Sequence, residues 1–267
     1  MFFRPLIDVL LSYIVFYGIL IIFLLGSKSL ALFVVGVILL SLAVHRIGLF
    51  VHAASHHEFH RKNPASDLLY IVYCGWFLGV DIKSYRQIHS LHHLNHGTPK
   101  VDPEDSYSNG LFFAGIPKAM LRLPITRDKP ELIASPVTWK IAPQKFTCIF
   151  THIISLYICF MLASYYGLAI YFISVFFGCQ AVVYLRNCLE HTPGTDNKPI
   201  SRNFKEGFLS FFLGAAGFAK HGLHHQMPGK RYWMLPSCSS PTTYAAAFRE
   251  ASKHYAQETF GSRNRVS

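Results

Sequence analysis

The chain is poor in charge, and poorest in acid. Of its 267 residues only 15% are charged, against 51% hydrophobic and 15% aromatic, which excludes an ordinary soluble or disordered domain. Asp and Glu number 14 and Lys and Arg 25, for a formal net charge of +11. The bases avoid the long apolar runs, and no basic cluster carries interleaved stacking aromatics. An anionic lipid surface therefore fits better than nucleic acid. Six cysteines, at 74, 148, 159, 179, 188 and 238, form no CxxC pair, so a zinc ribbon and a disulfide scaffold are excluded. All but Cys238 lie in or at the end of apolar stretches, where a thiol acts as a small hydrophobe. Neither ExxH nor HExxH occurs, which removes the carboxylate-rich di-iron bundle and the zincins. No internal repeat or low-complexity tract appears.

Long apolar runs dominate what remains. Residues 6–25 match the ~20 residues a helix needs to cross ~30 Å of hydrocarbon. The run is longer than a signal-peptide core and lacks a small-x-small cleavage site, so it reads as an anchor. Residues 29–51 form a second span, and His45 and Arg46 near its end mark where the helix is expected to leave the membrane. Residues 146–165 and 167–188 give a second hairpin, turning around Gly167. The intervening segments, 52–145 and 189–267, carry eleven and ten Lys/Arg. Their apolar inserts, 68–80 and 207–219, are too short to cross. Four spans put both segments on the side of the N-terminus, and their positive excess assigns that side to the cytoplasm. The expected fold is a single all-α integral membrane domain over residues 1–267. Its four transmembrane helices form two hairpins, under a cytoplasmic helical cap.

Histidine is the anomaly: there are 15, one more than all the acids together. His52 and His56 stand at i and i+4 directly after the second span, on one side of a helix. His89, His92 and His93 make an HxxHH box, and His221, His224 and His225 make another. Each box puts three imidazoles on one helical face. Asn187 and His191 leave the fourth span at i, i+4. Nine imidazoles with no carboxylate interleaved are too many for one ion, which seldom takes more than six ligands. They suit two transition metals with open positions, and iron fits best for redox chemistry on a lipid. Structural zinc would need only four ligands. The predicted metal ligands are His52, His56, His89, His92, His93, His191, His221, His224 and His225. Asn187, a weaker neutral donor, is expected to hold a metal-bound water. His45 and His152 read as hydrogen-bonded packing residues and His254 as a solvated surface group. His57, His60 and His96 neighbour the boxes as further ligands or as partners of ligands.

The order HxxxH, HxxHH, NxxxH, HxxHH, with spans in the pattern two and then two, resembles the membrane fatty acid desaturase superfamily over residues 36–236. Tyr85 and Arg86 before the second box, Asp102-Pro103-Glu104 after it, Pro228 and Leu235-Pro236 after the last, and Asp67 after the first extend the likeness. Ala53 departs from it, standing where an acid often follows the first histidine. The resemblance implies a histidine-held di-iron centre, with Asp102 behind the ligands. Its reaction joins a substrate C–H, dioxygen and two electrons. The implied substrate is an acyl or other lipid held in a dry tunnel. Since the chain is short and has neither a fused haem domain nor a cysteine cluster, electrons are expected from a separate protein, a ferredoxin or a b-type cytochrome with its reductase. Acyl desaturation is the leading outcome, and hydroxylation or ketolation of a lipid, carotenoid or alkane is the alternative. A metal transporter is a third class. It would place ligands and carboxylates at the midplane of the spans, where only Asp8 is an acid.

Overall fold

The structure, a computed structural model, describes residues 3–96, 98, 101–103, 112–121, 143–191, 201–239 and 241–261. Glu104 lies outside them. Among the described residues the fold is helical, and the one β-type pairing is an isolated parallel bridge between Phe204 and Thr242. The helices are α1 (Phe3–Leu25), α2 (Leu30–Ser55), α3 (Asn63–Leu78), α4 (Ile82–Asn95), α5 (Phe112–Met120), α6 (Pro143–Phe172), α7 (Cys179–His191), α8 (Phe208–Leu213), α9 (His221–Gln226) and α10 (Tyr244–Gly261). Contacts gather into two compact units. One comprises residues 1–86 with 136–182, the other residues 87–135 with 183–267.

The first unit holds the apolar helices. Along α1, Val9, Ser12, Phe16, Leu20 and Leu24 recur at helical spacing and are buried. Ile7, Ile14, Ile21 and Ile22 on the other side are exposed, Ile14 by 68%, a surface suited to hydrocarbon. Three stretches are long and apolar enough to cross a membrane: α1, α2 and Lys145–His191. A fourth qualifies only if α3 and α4 count together as one broken span.

Ser29 starts α2, its Oγ accepting from the Leu32 amide at 3.3 Å. The helix continues past His45 and Arg46. It runs on to Ser55 with both side chains turned inward. Arg46 Nε donates to Ser12 Oγ on α1 at 2.9 Å, so an internal hydroxyl receives the charged group that the sequence sends toward water.

Lys145–His191 is 47 residues long, far more than one crossing needs. It breaks at Ala163 (φ −143°) and Ser164 (φ 54°), a few residues before the turn expected at Gly167. Gly167 serves that turn differently: a β-carbon there would overlap the carbonyl oxygen of Cys159. The chain doubles back, since His152 Nδ1 lies 2.9 Å from Tyr171 Oη, nineteen residues on. With its Nε2 2.9 Å from the Phe77 carbonyl, His152 is the hydrogen-bonded packing residue its setting predicts.

A π-helical segment, Ile173–Gly178, joins α6 to α7 and packs on α2 through small residues. Ser41 Oγ donates to the Val37 carbonyl at 2.6 Å, Ser174 Oγ to that of Ile170 at 2.6 Å, and a β-carbon at Gly178 would overlap Ser41 Oγ. Backbones approach closely where side chains are small, the usual way helices associate where water supplies no driving force.

At the other end of α2, Arg86 donates from Nε to the Ser55 carbonyl at 2.9 Å and from Nη2 to that of Ala54 at 3.2 Å. Asp67 holds the same guanidinium at 2.5 Å. A cation on the last carbonyls of a helix satisfies acceptors that lack intrahelical partners. Here it fixes the turn that carries His52 and His56.

In the second unit α8 has six residues and spans about 9 Å, so it cannot cross a membrane. It leads into a 3₁₀ segment, Ala215–Lys220, where Ala216 (φ 50°) and Gly217 (φ 89°) bend the chain before α9. Phe204 stacks on Tyr244 of α10 at 4.1 Å. His254 on α10 is half-buried, not the solvated group expected.

Candidate metal centre

Helix α4 starts on an N-cap carboxylate: Asp81 accepts from the Lys83 amide at 3.1 Å and from Ser84 Oγ at 2.7 Å. It carries its HxxHH box into the second unit, and α9 carries the other box there. Helix α7 supplies His191 in its last turn.

His89, His93 and His224 form one group, their ligand nitrogens within 4.8 Å of one another. His93 Nε2 lies 3.0 Å from His89 Nε2 and 3.2 Å from His224 Nε2. His92, His96, His191 and His225 form a second group of the same tightness, and Glu190, His191 and His221 a third. His191 belongs to both of the latter. Its Nδ1 lies 3.2 Å from His96 Nε2 and its Nε2 3.1 Å from His221 Nε2. His225 Nε2 stands 3.0 Å from His221 Nε2. In the first unit His52 and His56 stand as a pair, with ring centroids 4.9 Å apart and ligand nitrogens within 4.8 Å.

These separations test the fit to a metal. Metal–imidazole bonds of ~2.1 Å put adjacent nitrogens of one coordination sphere ~3.0–3.4 Å apart. The nitrogen pairs above span 3.0 to 3.2 Å, and His191 can give an ion only one of its two nitrogens, Nδ1 facing His96 or Nε2 facing His221. One N–H on His93 Nε2 can serve only one of its two facing nitrogens, whereas a shared cation satisfies all three rings. The donor set fits borderline transition metals.

Electrostatics keep these rings in the form that binds metal. Burial, then the neighbouring imidazoles of His89 and His92, lowers His224 to about 3. Burial first, then the surrounding rings, also lowers His221 and His225. Neutral imidazole is the ligand species. Because these folded-state values lie below the ordinary 6.5, the unfolded chain binds more protons between about 3 and 6.5. The stability they contribute is complete above 6.5 and is lost as pH falls toward 3. Metal-stripped protein is thus expected to melt at progressively lower temperature from pH 7.5 to pH 4.5. A melting temperature that rises on acidification would refute this.

Behind the rings, His92 Nδ1 lies 2.8 Å from Asp102 Oδ1, both groups nearly fully buried. A carboxylate on one ring nitrogen fixes the tautomer and turns the other nitrogen outward, the orienting role implied for Asp102. Asn187 Oδ1 accepts from the Arg186 guanidinium. One group escaped the sequence reading. Glu190, 0% exposed, pairs with Arg186 at 3.0 Å and stands 3.8 Å from His221 Nε2, so the imidazoles are not free of carboxylate. Its signal was an arginine four residues earlier on the same helix. His96 repeats the i, i+4 step from His92. Of the other neighbours, His57 stands 3.9 Å from Asp67, and His60 Nδ1 accepts from the Lys62 amide at 3.0 Å.

No curated protein and no solved structure matches the chain. A family model described as Fatty acid desaturase matches residues 7–258. That range takes in nearly all of the three long apolar stretches and every box histidine, and with it the chain belongs to the fatty acid desaturase family.

Proposed function

We propose that this chain is an oxygen-dependent di-iron membrane oxidoreductase that introduces a double bond into a fatty acyl chain. The observation that supports it best is the gathering of eight imidazoles of the second unit, five of them buried, into closely spaced groups within a fatty acid desaturase chain. In the balanced reaction –CH₂–CH₂– plus dioxygen, two electrons and two protons gives –CH=CH– and two waters. Bound iron would supply the oxygen and redox chemistry, which no side chain here can.

The protein's share is placement. His89, His93 and His224 would hold one iron and His92, His191, His221 and His225 the other. His52 and His56 join the first on chemical grounds, since three imidazoles leave open positions that neutral rings at i, i+4 suit. Asp102 orients His92. Asn187 stands behind the ligands with its oxygen on Arg186. We read the matched region as one functional domain, with four spans in two hairpins and the boxes in a cytoplasmic cap. There a separate electron carrier can reach them. The substrate would come from the lipid phase.

Purified protein is expected to carry about two irons per chain. Zinc can replace iron during purification, so the decisive step is reconstitution of stripped protein. Activity must return with ferrous iron and not with zinc. Recovery with zinc alone would overturn the proposal.

A further inference from the structure

On the reading above, the second metal site is held by His92, His191, His221 and His225. Asn187, expected to contribute through water, turns its oxygen to Arg186, which also holds Glu190. In the space beside His191 stands another imidazole. His96 Nε2 is 3.2 Å from His191 Nδ1, within the nitrogen–nitrogen range of a shared coordination sphere. Its ring centroid is 4.3 Å from that of His225 and 5.2 Å from that of His92. The four rings offer ligand nitrogens all within 4.8 Å of one another.

We infer that His96 is a metal ligand of the second site, beside His92, His191 and His225, and that it takes the part expected of Asn187. The inference rests on the di-iron reading. The local sequence explains how it arises. His96 follows α4 by one residue, one helical turn beyond His92, so the helix that places the second box also delivers this ring. Ser201 Oγ lies 2.9 Å from the same Nε2, a contact this nitrogen would exchange for the metal. With His221 also assigned to the site, His96 would be its fifth imidazole and would leave fewer open positions than an amide holding water does.

The test counts metal and does not depend on activity. Wild type, His92→Ala, His96→Gly, Asn187→Ala and Ser201→Ala are purified under identical conditions, and total iron plus zinc per chain is measured. Wild type and Asn187→Ala are expected near two. His92→Ala and His96→Gly are expected near one, with Ser201→Ala close to two. Free imidazole added to His96→Gly during reconstitution should restore the count, since it can enter the vacated ligand position but cannot repair a misfolded chain. A count near two in His96→Gly without imidazole overturns the inference. So does a loss that imidazole does not restore. A wild type without metal, or a His92→Ala that keeps two ions, would instead overturn the di-iron reading.

Discussion

Replacing His191 with alanine is expected to cost turnover well beyond the ~10–100-fold typical of residues behind a metal's ligands. His191 is the ring on which two groups meet: one nitrogen faces His96 and the other faces His221. It is 5% exposed, so the vacated space is closed to bulk water as a ready substitute. The variant should lose about one of two metal ions. Asn187→Ala, which removes a neighbour four residues earlier on the same helix, should keep both. Wild-type turnover in His191→Ala would show that the group at the end of α7 is structural.

The second large effect concerns folding. Glu190 is fully buried, and Arg186 is its cationic partner at 3.0 Å. The same guanidinium lies 4.0 Å from the centroid of the Phe218 ring and donates to Asn187. Arg186→Met leaves a carboxylate without its counter-charge in a low-dielectric site, which costs about 3–5 kcal/mol. The double variant Arg186→Met, Glu190→Leu removes both charges and should recover much of that loss, because a buried pair often contributes little over an apolar replacement. Thermal melts of metal-stripped protein in detergent check both. Equal stability of Arg186→Met and wild type would mean that Glu190 is protonated or solvated.

The two largest features of the fold were legible for simple reasons. Span length is set by hydrocarbon thickness, so α1, α2 and the 47-residue stretch stand out in composition alone. Box histidines share helical faces by spacing, which needs no tertiary information. What escaped depends on partners distant in sequence. Arg46 reads as a residue sent toward water, and its hydrogen bond to Ser12 Oγ of another helix appears only in the structure. The break at Ala163–Ser164 is invisible in hydropathy, because Ser164 adopts a positive φ that its residue type does not announce. Glu190 looks like a solvated acid near a helix end until Arg186 and His221 enclose it. His96 was one of three equivalent neighbours of the boxes, and only the approach of α7 and α9 singles it out.

Lipid analysis of cells that express the protein, against cells that express His92→Ala, bears most directly on the central claim. His92 is nearly fully buried and held by Asp102 at 2.8 Å, so its loss should strike the metal site with the rest of the chain intact. The account predicts new unsaturated acyl chains with the wild-type protein, dependent on oxygen and absent with His92→Ala. Identical lipid profiles in the two, under iron and oxygen sufficiency and with a competent electron donor supplied, would contradict it.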